Sequence, residues 1–322
     1  MRALVCETFG PPQTLVLRDW PLPEPAAGQV RVRIHAAGVN FPDTLIIEGR
    51  YQIKADPPLI PGSEVAGVIE ALGDGVEGWR IGDRVCAMTL QGGFAEAVAV
   101  DASRLVALPD EVDFAVGSSV LMTYGTAIHA LRQRAALAPG ERLLVLGAGG
   151  GVGLAAVALG AAMGAQVIAA ASSAEKLALA QRQGAAELID TANRDLREAL
   201  KAGGPLDVVV DPVGGAQSET AFRALAPNGR HLVVGFASGT IPSLPLNLPL
   251  LKSAALIGVF WGAFTTREPE THRANMAEVF RMMADGRMPR PDIQLAPLAG
   301  GPDVLDRLAQ RRLAGKAALT MA

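Results

Sequence analysis

The sequence predicts an α/β protein in which a doubly wound parallel sheet is inserted into a β-rich domain. Three observations lead to this prediction. Short alternating segments fill the first part of the chain, strands alternate with helices after Ser118, and a glycine-rich turn joins an apolar strand to a helix between Leu146 and Leu154. Strands that alternate with helices are typical of a parallel sheet with helices on both faces.

The first part of the chain consists of short apolar segments separated by glycine and proline. Residues 30–34 alternate strictly between apolar and charged side chains, and 65–72 and 94–100 are further strand candidates. Turns are predicted at 28–29 and 82–84. We therefore expect an irregular, partly barrel-like β domain here.

The second part has the periodicity of alternating helices and strands. The predicted helices are 118–132, 154–163, 176–183, 196–201, 218–225, 273–284 and 302–311, and the predicted strands are 143–146, 167–171, 187–189, 207–211, 230–234, 254–260 and 316–321. We place the parallel-sheet domain at 122–262 and form the β-rich domain from 1–121 and 263–322.

The composition favours a soluble, cytoplasmic protein that binds no nucleic acid. Charged residues make up 19% of the chain and the net charge is −3, so no clustered basic surface is indicated. No apolar run reaches the ~18 residues that span a bilayer, and the strand-like N-terminus lacks the apolar core of a signal peptide. We expect a small-molecule substrate and no membrane partner.

Cysteine and histidine usage disfavours metal chemistry. The only cysteines are Cys6 and Cys86, and the four histidines are scattered along the chain. A structural zinc site of four cysteines is therefore impossible, and no histidine has a second ligand at metal spacing. We predict no metal site.

The glycine-rich turn has the pattern Ala148-x-Gly150-x-x-Gly153 between a predicted strand and a predicted helix. Gly150 would let the backbone approach a diphosphate, Gly153 would let helix and strand pack closely, and the first helical N–H groups would face the anion. Because the turn lies within a full βαβ pattern, we predict a Rossmann-type dinucleotide site rather than an ordinary glycine turn. The predicted contacts are Ala148, Gly150, Gly151, Val152 and Gly153.

The residues after the second strand of this unit favour NADPH over NADH. A carboxylate commonly binds the adenosine ribose of NAD there, but this chain has Ser172, Ser173 and then Lys176. Two hydroxyls and an ammonium could receive a 2′-phosphate. In the alternative interpretation, Ser173 only caps a helix and Lys176 is solvated. The effect of Asp190, near the end of the following strand, stays open.

Motifs along nearly the whole chain resemble those of one family. They are AAGVNFPD at 36–43, GRY at 49–51, PGSEVAG at 61–67, GDRV at 82–85, GGFAE at 92–96, MTYGT at 122–126, the glycine turn, DPVGG at 211–215 and GK at 315–316. With these motifs the chain resembles the zinc-free medium-chain dehydrogenases/reductases of the NADPH:quinone oxidoreductase (zeta-crystallin-like) family. The resemblance implies a GroES-like catalytic domain, a Rossmann domain and a homodimer.

The resemblance also implies the catalytic residues. Asn40 stands where related zinc alcohol dehydrogenases carry a cysteine ligand, and Ser63 stands where they carry a histidine ligand. Asn40 and Tyr51 are implied to lie beside the nicotinamide, where they offer an amide donor and a hydroxyl. The alternatives are a turn or cap role for Asn40 and a cleft-covering loop role for Tyr51. Asp43 reads most simply as a helix N-cap.

Further residues are implied to contact the nicotinamide half of the cofactor. Tyr124 and Thr126 are expected to open the helix that leads into the nucleotide domain, and Gly235, Phe236 and Ala237 follow a strand on the cofactor side. Phe260, next to Trp261, either lines the substrate slot or packs at an interface. The predicted contacts are Thr126, Gly235, Phe236, Ala237 and Phe260.

The leading hypothesis is NADPH-dependent hydride transfer to a quinone or another conjugated carbonyl acceptor without a metal. Such acceptors spread the incoming charge onto oxygen, so a few hydrogen-bond donors can suffice. One alternative is reduction of an enoyl-thioester or 2-alkenal double bond. Another, from a different class, is a non-catalytic NADPH-binding protein of the crystallin-like type. The apolar strand 254–260 is the expected site of edge-to-edge homodimer pairing.

Overall fold

The computed structural model describes residues 1–51 and 56–321, and the chain divides into two compact units. The first unit comprises Met1–Met122, Met276–Ala284 and Asp292–Ala322, and the second comprises Thr123–Asn275 and Asp285–Pro291. The first unit is thus interrupted by the second, in agreement with the insertion that the fold class requires.

Strands and helices are numbered along the chain. The strands are β1 Arg2–Val5, β2 Val16–Asp19, β3 Gln29–Val39, β4 Glu64–Leu72, β5 Arg84–Met88, β6 Ala97–Asp101, β7 Leu105–Ala107, β8 Arg142–Leu146, β9 Gln166–Ala171, β10 Glu187–Asp190, β11 Leu206–Asp211, β12 Leu225–Val233, β13 Ala255–Gly258, β14 Ile293–Pro297 and β15 Lys316–Thr320. The α-helices are α1 Phe41–Ile47, α2 Phe114–Ile128, α3 Gly151–Ala162, α4 Ala174–Arg182, α5 Leu196–Gly203, α6 Ala216–Arg223, α7 Asn247–Lys252, α8 Trp261–Arg267, α9 Pro269–Ala284 and α10 Gly301–Ala309.

The first unit is built on a sheet with the strand order β14-β15-β3-β4-β5-β7, and β6 also pairs with β3. β14 runs parallel to β15, and the other pairs are antiparallel. β3 is the longest of the described strands, and its alternating sequence directs Val30, Val32 and Ile34 into the core. At its end, β3 leads directly into α1, so Asn40 lies between a central strand and a helix.

The second unit, every residue of which is described, contains a parallel sheet with the order β10-β9-β8-β11-β12-β13. The central strands β8 and β11 are apolar along most of their length, and 143–146 and 208–210 are fully buried. Strands covered on both faces need such continuous apolar runs. The chain order reverses at β8, which has β9 on one side and β11 on the other, and this is where doubly wound sheets bind ligands.

The fold class predicted from the sequence is confirmed. All predicted helices and strands of the parallel-sheet domain exist, with ends that shift by a few residues. The largest shift is at the start of β12, which begins at Leu225 and not at Arg230, and α3 begins at Gly151, within the glycine turn, and not at Leu154. The predicted domains change after residues 121 and 262, whereas the two observed units change after Met122 and Asn275.

Among the described residues, one helical stretch, Phe114–Arg134, is long and apolar enough to span a membrane by length and composition. It combines α2 with a π-helical continuation, His129–Arg134. However, 83% of its apolar window is buried within the protein. This burial is the pattern of a core helix, and the polar residues within the stretch explain why no uninterrupted apolar run marks it in the sequence.

Candidate active site

The glycine turn joins β8 to α3 at the switch point of the parallel sheet. Gly150 is the N-cap of α3 with extended backbone, and the nearest atom to a Cβ placed there would be the Gly147 carbonyl oxygen at 3.6 Å. A Cβ on Gly153, in contrast, would lie 2.2 Å from that oxygen, so only glycine permits the close approach of helix and turn. The turn therefore presents open backbone at the start of a twelve-residue helix, which is the arrangement that binds a diphosphate.

The turn also packs against the start of α4. A Cβ on Gly149 would lie 2.4 Å from the Lys176 Cβ and 2.5 Å from its Cγ. Since Gly149 does not have positive φ, the missing side chain is required by space and not by backbone conformation. The stem of Lys176 thus packs against the glycine turn.

The other residues proposed for the 2′-phosphate surround the end of β9. Ser172 is exposed, and Ser173 is the N-cap of α4, where its hydroxyl accepts the Lys176 N–H at 3.3 Å. The capping role considered for Ser173 is thus confirmed. Asp190 turns its carboxylate to its own loop, accepting from the Ala192 N–H and the Asn193 side chain, and these bonds hold its pKa below the ordinary value.

The residues predicted after β12 are held by the loop that follows β11. The Ala237 N–H donates to the Pro212 carbonyl at 3.0 Å, and the Gly235 N–H donates to the Asp211 carbonyl at 3.3 Å. A Cβ on Gly214 would meet the Phe236 ring at 2.9 Å. Gly235, Phe236 and Ala237 therefore form one packed layer with the DPVGG motif at the carboxyl edge of the sheet.

A buried carboxylate within the DPVGG motif organises this layer, a role that was not predicted from the sequence. Asp211 accepts the Val213 and Gly214 N–H groups at 2.9 and 2.8 Å, the Ser218 hydroxyl at 2.5 Å, and contacts His231 Nε2 at 3.1 Å. Burial raises the pKa of Asp211, but the bonds from His231, Ser218 and Gly214 outweigh burial and hold it below its ordinary value. Its position at the last residue of β11, in front of a Pro-Val-Gly-Gly loop, is the signal that could have identified it.

The two aromatic residues at the start of α8 differ in their exposure to solvent. Phe260 is 69% exposed, whereas Trp261 is buried, packs on Gly125 of α2 and meets the His272 ring edge-on. Thus Trp261 is a packing residue of the second unit, and Phe260 alone remains available to a ligand or partner. Thr126 is buried in α2, and because α2 begins at Phe114, the expectation that Tyr124 and Thr126 open this helix is wrong.

In the first unit, Asn40 is the N-cap of α1 and is 4% exposed. Its backbone N–H donates to the Asp43 carboxylate at 2.7 Å. Its side-chain Nδ2 donates to Glu64 Oε2 at 2.9 Å, and its Oδ1 accepts from Lys316 Nζ at 2.5 Å. Both ends of the amide are therefore bonded to buried charged groups. The cap role that the sequence left as an alternative for Asn40 is confirmed, whereas these charged partners were not predicted.

Glu64 and Lys316 form a fully buried ion pair beside this amide. Lys316 Nζ lies 3.7 Å from Glu64 Oε2 and donates to the Val39 carbonyl at 2.8 Å, while Glu64 Oε1 accepts the Met122 N–H at 3.2 Å. Burial raises the pKa of Glu64 and lowers that of Lys316, and the attraction between the two opposes both shifts. In the sequence, the motifs at 61–67 and 315–316 contain these two residues, and Lys316 is a charged residue at the start of an otherwise apolar strand.

Asp43 and Tyr51 complete the polar cluster. Asp43 is not the N-cap that the sequence suggested but the third residue of α1, and burial raises its pKa to about 6 despite the bond from the Asn40 N–H. Tyr51 is half-buried against the core of the first unit, and burial, together with the nearby Asp43 charge, raises the pKa of its hydroxyl. Asn40 and Tyr51 thus share Asp43 as a neighbour.

Within residues 1–51 and 56–321, no group of three or more histidine, cysteine, aspartate or glutamate side chains could hold a metal ion. Asn40 and Ser63 are both buried. The cation beside Asn40 is the Lys316 ammonium.

The structure brings the predicted residues together in two groups. The glycine turn, the β9 end and the β12 end all lie at the carboxyl edge of the parallel sheet, and Thr126 and Phe260 lie in the same unit. Asn40 and Tyr51 belong to the first unit. Asp211, Glu64 and Lys316 lie within motifs of the sequence, but no role was predicted for them.

Comparisons with known proteins identify both units. Residues 151–281 match the family model described as zinc-binding dehydrogenase, and residues 26–110 match that of the alcohol dehydrogenase GroES-like domain. The chain is 34% identical over 322 residues to the quinone oxidoreductase-like protein 2 homolog of Nematostella vectensis, covering 98% of this chain and 87% of that protein.

Two bacterial relatives extend over almost the full length. The quinone oxidoreductase of Pseudomonas aeruginosa is 35% identical over 323 residues, with 97% of each chain covered. The quinone oxidoreductase of Thermus thermophilus, whose structure was solved also in complex with NADPH, is 36% identical with a TM-score of 0.84, covering 99% of this chain and 100% of that chain.

Proposed function

Since this chain belongs to the quinone oxidoreductase family of the medium-chain dehydrogenases/reductases, an enzyme family, we propose that it transfers hydride from NADPH to a quinone or another conjugated carbonyl acceptor without a metal ion. The observation that carries the proposal is the glycine turn at the switch point, with the Lys176 stem packed across Gly149. This arrangement combines backbone N–H groups that can bind an anion with a basic side chain next to them.

The chain's own residues fit the cofactor at three places. The Gly150–Gly153 turn would bind the diphosphate through backbone N–H groups, and Ser172 and Lys176 would bind the 2′-phosphate. Gly235, Phe236 and Ala237, held by the Asp211 layer, would line the nicotinamide half together with Thr126. NADPH, when bound, supplies the hydride, and the residues around it orient the ring and exclude water.

On the acceptor side, Tyr51 and Asn40 supply donors for the oxygen on which charge develops. The Tyr51 hydroxyl has a raised pKa, so it stays protonated and can donate. One Asn40 Nδ2 hydrogen is committed to Glu64, whereas the contact to the Gly38 carbonyl is long, at 3.4 Å, and can be exchanged for a stronger one. The acceptor gains one hydride and one proton, and solvent supplies the proton.

The test is a panel of acceptors, 1,4-benzoquinone, enones and crotonyl-CoA, each mixed with NADPH or NADH and followed at 340 nm. We expect the fastest turnover with NADPH and quinones or enones. A preference for crotonyl-CoA would favour the enoyl-thioester alternative, and tight NADPH binding without turnover would favour the non-catalytic one. If no acceptor oxidises NADPH, the proposal is refuted.

Cofactor preference is tested with the variant Lys176→Ala. Losing one charge-assisted hydrogen bond to phosphate should raise the KM for NADPH about 10-fold or more and leave that for NADH unchanged. Lys201→Ala removes an exposed lysine of the same unit from α5 and is the matched control. Equal effects of Lys176→Ala on both cofactors would contradict the assigned role.

We also propose that the protein is a cytoplasmic homodimer that pairs through β13. Among the described strands, β13 pairs only with β12, and leucines around it are exposed, Leu250 by 77%, Leu251 by 76% and Leu256 by 48%. Such an apolar patch beside an open strand edge favours association. Sedimentation should give a dimer that Leu251→Asp weakens and that Leu295→Asp, at a 60% exposed leucine of the first unit, leaves intact. A monomeric wild type would refute this pairing.

A further inference from the structure

The buried ammonium of Lys316 is the centre of the polar cluster in the first unit. It donates to Asn40 Oδ1 at 2.5 Å and to the Val39 carbonyl at 2.8 Å, and Glu64 Oε2 lies 3.7 Å away. An ammonium has three hydrogens and cannot accept. Two of its hydrogens are thus donated to oxygens of Asn40 and Val39, and the Glu64 carboxylate opposes its charge.

These contacts determine which way the Asn40 amide faces. With Oδ1 on the ammonium, Nδ2 faces the Glu64 carboxylate at 2.9 Å. Turning the amide over would put its NH₂ group against the ammonium and its oxygen against the carboxylate, so that both contacts become repulsive. Lys316 and Glu64 together allow one orientation only, the one in which Nδ2 keeps a second hydrogen that is held just weakly by the Gly38 carbonyl.

The ammonium also balances the charge of the cluster. The charges of Glu64 and Asp43 favour the protonated form of Lys316. Asp43 also contributes to the raised pKa of the half-buried Tyr51, and Glu64 contributes to that of the buried Cys86 thiol. Without Lys316, two carboxyl groups would share a fully buried site with no opposing charge, and burial would favour their protonated forms. A protonated Glu64 could donate to Asn40 and would no longer select the orientation of the amide.

We propose that Lys316 is a positioning residue for hydride transfer, acting through Asn40: it fixes the amide so that an Nδ2 hydrogen is presented to the acceptor oxygen. This inference rests on the proposed function, in which Asn40 supplies that donor. Lys316 itself touches no substrate in this mechanism. It acts as an internal cation that holds Asn40 and Glu64 in place.

The experiment compares Lys316→Met with Lys316→Arg in wild-type and Asn40→Ala backgrounds. Lys316→Met should lower kcat about 100-fold, as misplacement of a catalytic group does, with the KM for NADPH unchanged. Lys316→Arg keeps the charge and should restore part of the activity, and Lys316→Gln serves if the Met variant does not fold. Lys252→Met is the matched control, because Lys252 Nζ also donates to a backbone carbonyl, that of Leu225 at 2.7 Å, but has no amide to orient.

The double variant separates positioning from general damage. If Lys316 acts through Asn40, Lys316→Met should cost little additional kcat once Asn40 is alanine. A kcat of Lys316→Met equal to that of the wild type overturns the proposal. An undiminished effect of Lys316→Met in the Asn40→Ala background overturns it as well.

A measurement that does not depend on turnover tests the orienting role of Lys316 independently of the proposed function. The side-chain amide resonances of Asn40, assigned by their loss in Asn40→Ala, should move in Lys316→Met and stay in place in Lys252→Met. If the wild type reduces no acceptor, the proposed function fails while a moved resonance still supports the orienting role of Lys316. An unmoved resonance in Lys316→Met overturns the orienting role whatever the activity.

Discussion

Asp43 provides the sharpest prediction about stability, because it is a fully buried carboxyl group whose pKa changes on folding. Burial raises this pKa from 3.8 to about 6, a difference worth about 3 kcal/mol at 1.36 kcal/mol per pH unit. Between these two values the folded state binds more protons than the unfolded state. Stability from this group is therefore greatest at low pH and is lost as the pH rises through about 6.

The variant Asp43→Asn removes the titration and keeps an oxygen that can accept the Asn40 N–H. Relative to the wild type, it should therefore gain stability as the pH rises, by about 2 kcal/mol from about pH 4.5 to about pH 7, because most of the titration falls in this window. Urea unfolding followed by circular dichroism at several pH values gives the difference directly.

The control is Thr44→Val in the same helix. Thr44 is 3% exposed and its hydroxyl donates to the Phe41 carbonyl at 2.7 Å, so the variant disturbs the same region without removing an ionisable group. Its stability difference from the wild type should not vary with pH. If the Asp43→Asn difference is equally constant, or falls as the pH rises, the reasoning about burial of this carboxyl group is refuted.

Three further predictions concern the second unit. Gly153→Ala would place a Cβ 2.2 Å from the Gly147 oxygen, so we expect a loss of about 1–3 kcal/mol and weaker NADPH binding, measured by melting and by cofactor fluorescence. Gly149→Ala should displace Lys176 and raise the KM for NADPH more than that for NADH; equal changes would contradict this. Asp211→Asn replaces a charged acceptor of several buried donors and should cost about 1–3 kcal/mol in urea unfolding, and an unchanged midpoint would argue against its role.

Much of the parallel sheet could be predicted because its signals are local. The runs 143–146 and 208–210 are buried in full, and their apolar character is visible without any knowledge of the partner strands. The start of α3 was less visible, because three glycines at 149–151 have low helix propensity and read as a loop. Tertiary packing of the turn against Lys176 and Gly147 overrides that propensity.

The polar cluster of the first unit could not be predicted in the same way. Lys316 and Asn40 are 276 positions apart, and no periodicity connects a strand at the end of the chain with a helix cap near its beginning. Pairing of β15 with β3 brings them together, since Ala317 stands opposite Val39. The sequence motifs marked both places, but only the sheet register shows that they form one site.

The replacement of zinc ligands that the resemblance implies changes the charge balance around the remaining carboxylates. By that resemblance a neutral amide stands in place of a metal-binding thiolate, and a buried carboxylate such as Glu64 is costly when no cation opposes its charge. In this chain Lys316 supplies the opposing charge at 3.7 Å and also bonds the amide that replaces the thiolate. Asn40, Glu64 and Lys316 are thus parts of one electrostatic arrangement, and a substitution at either Asn40 or Lys316 should change the environment of the other.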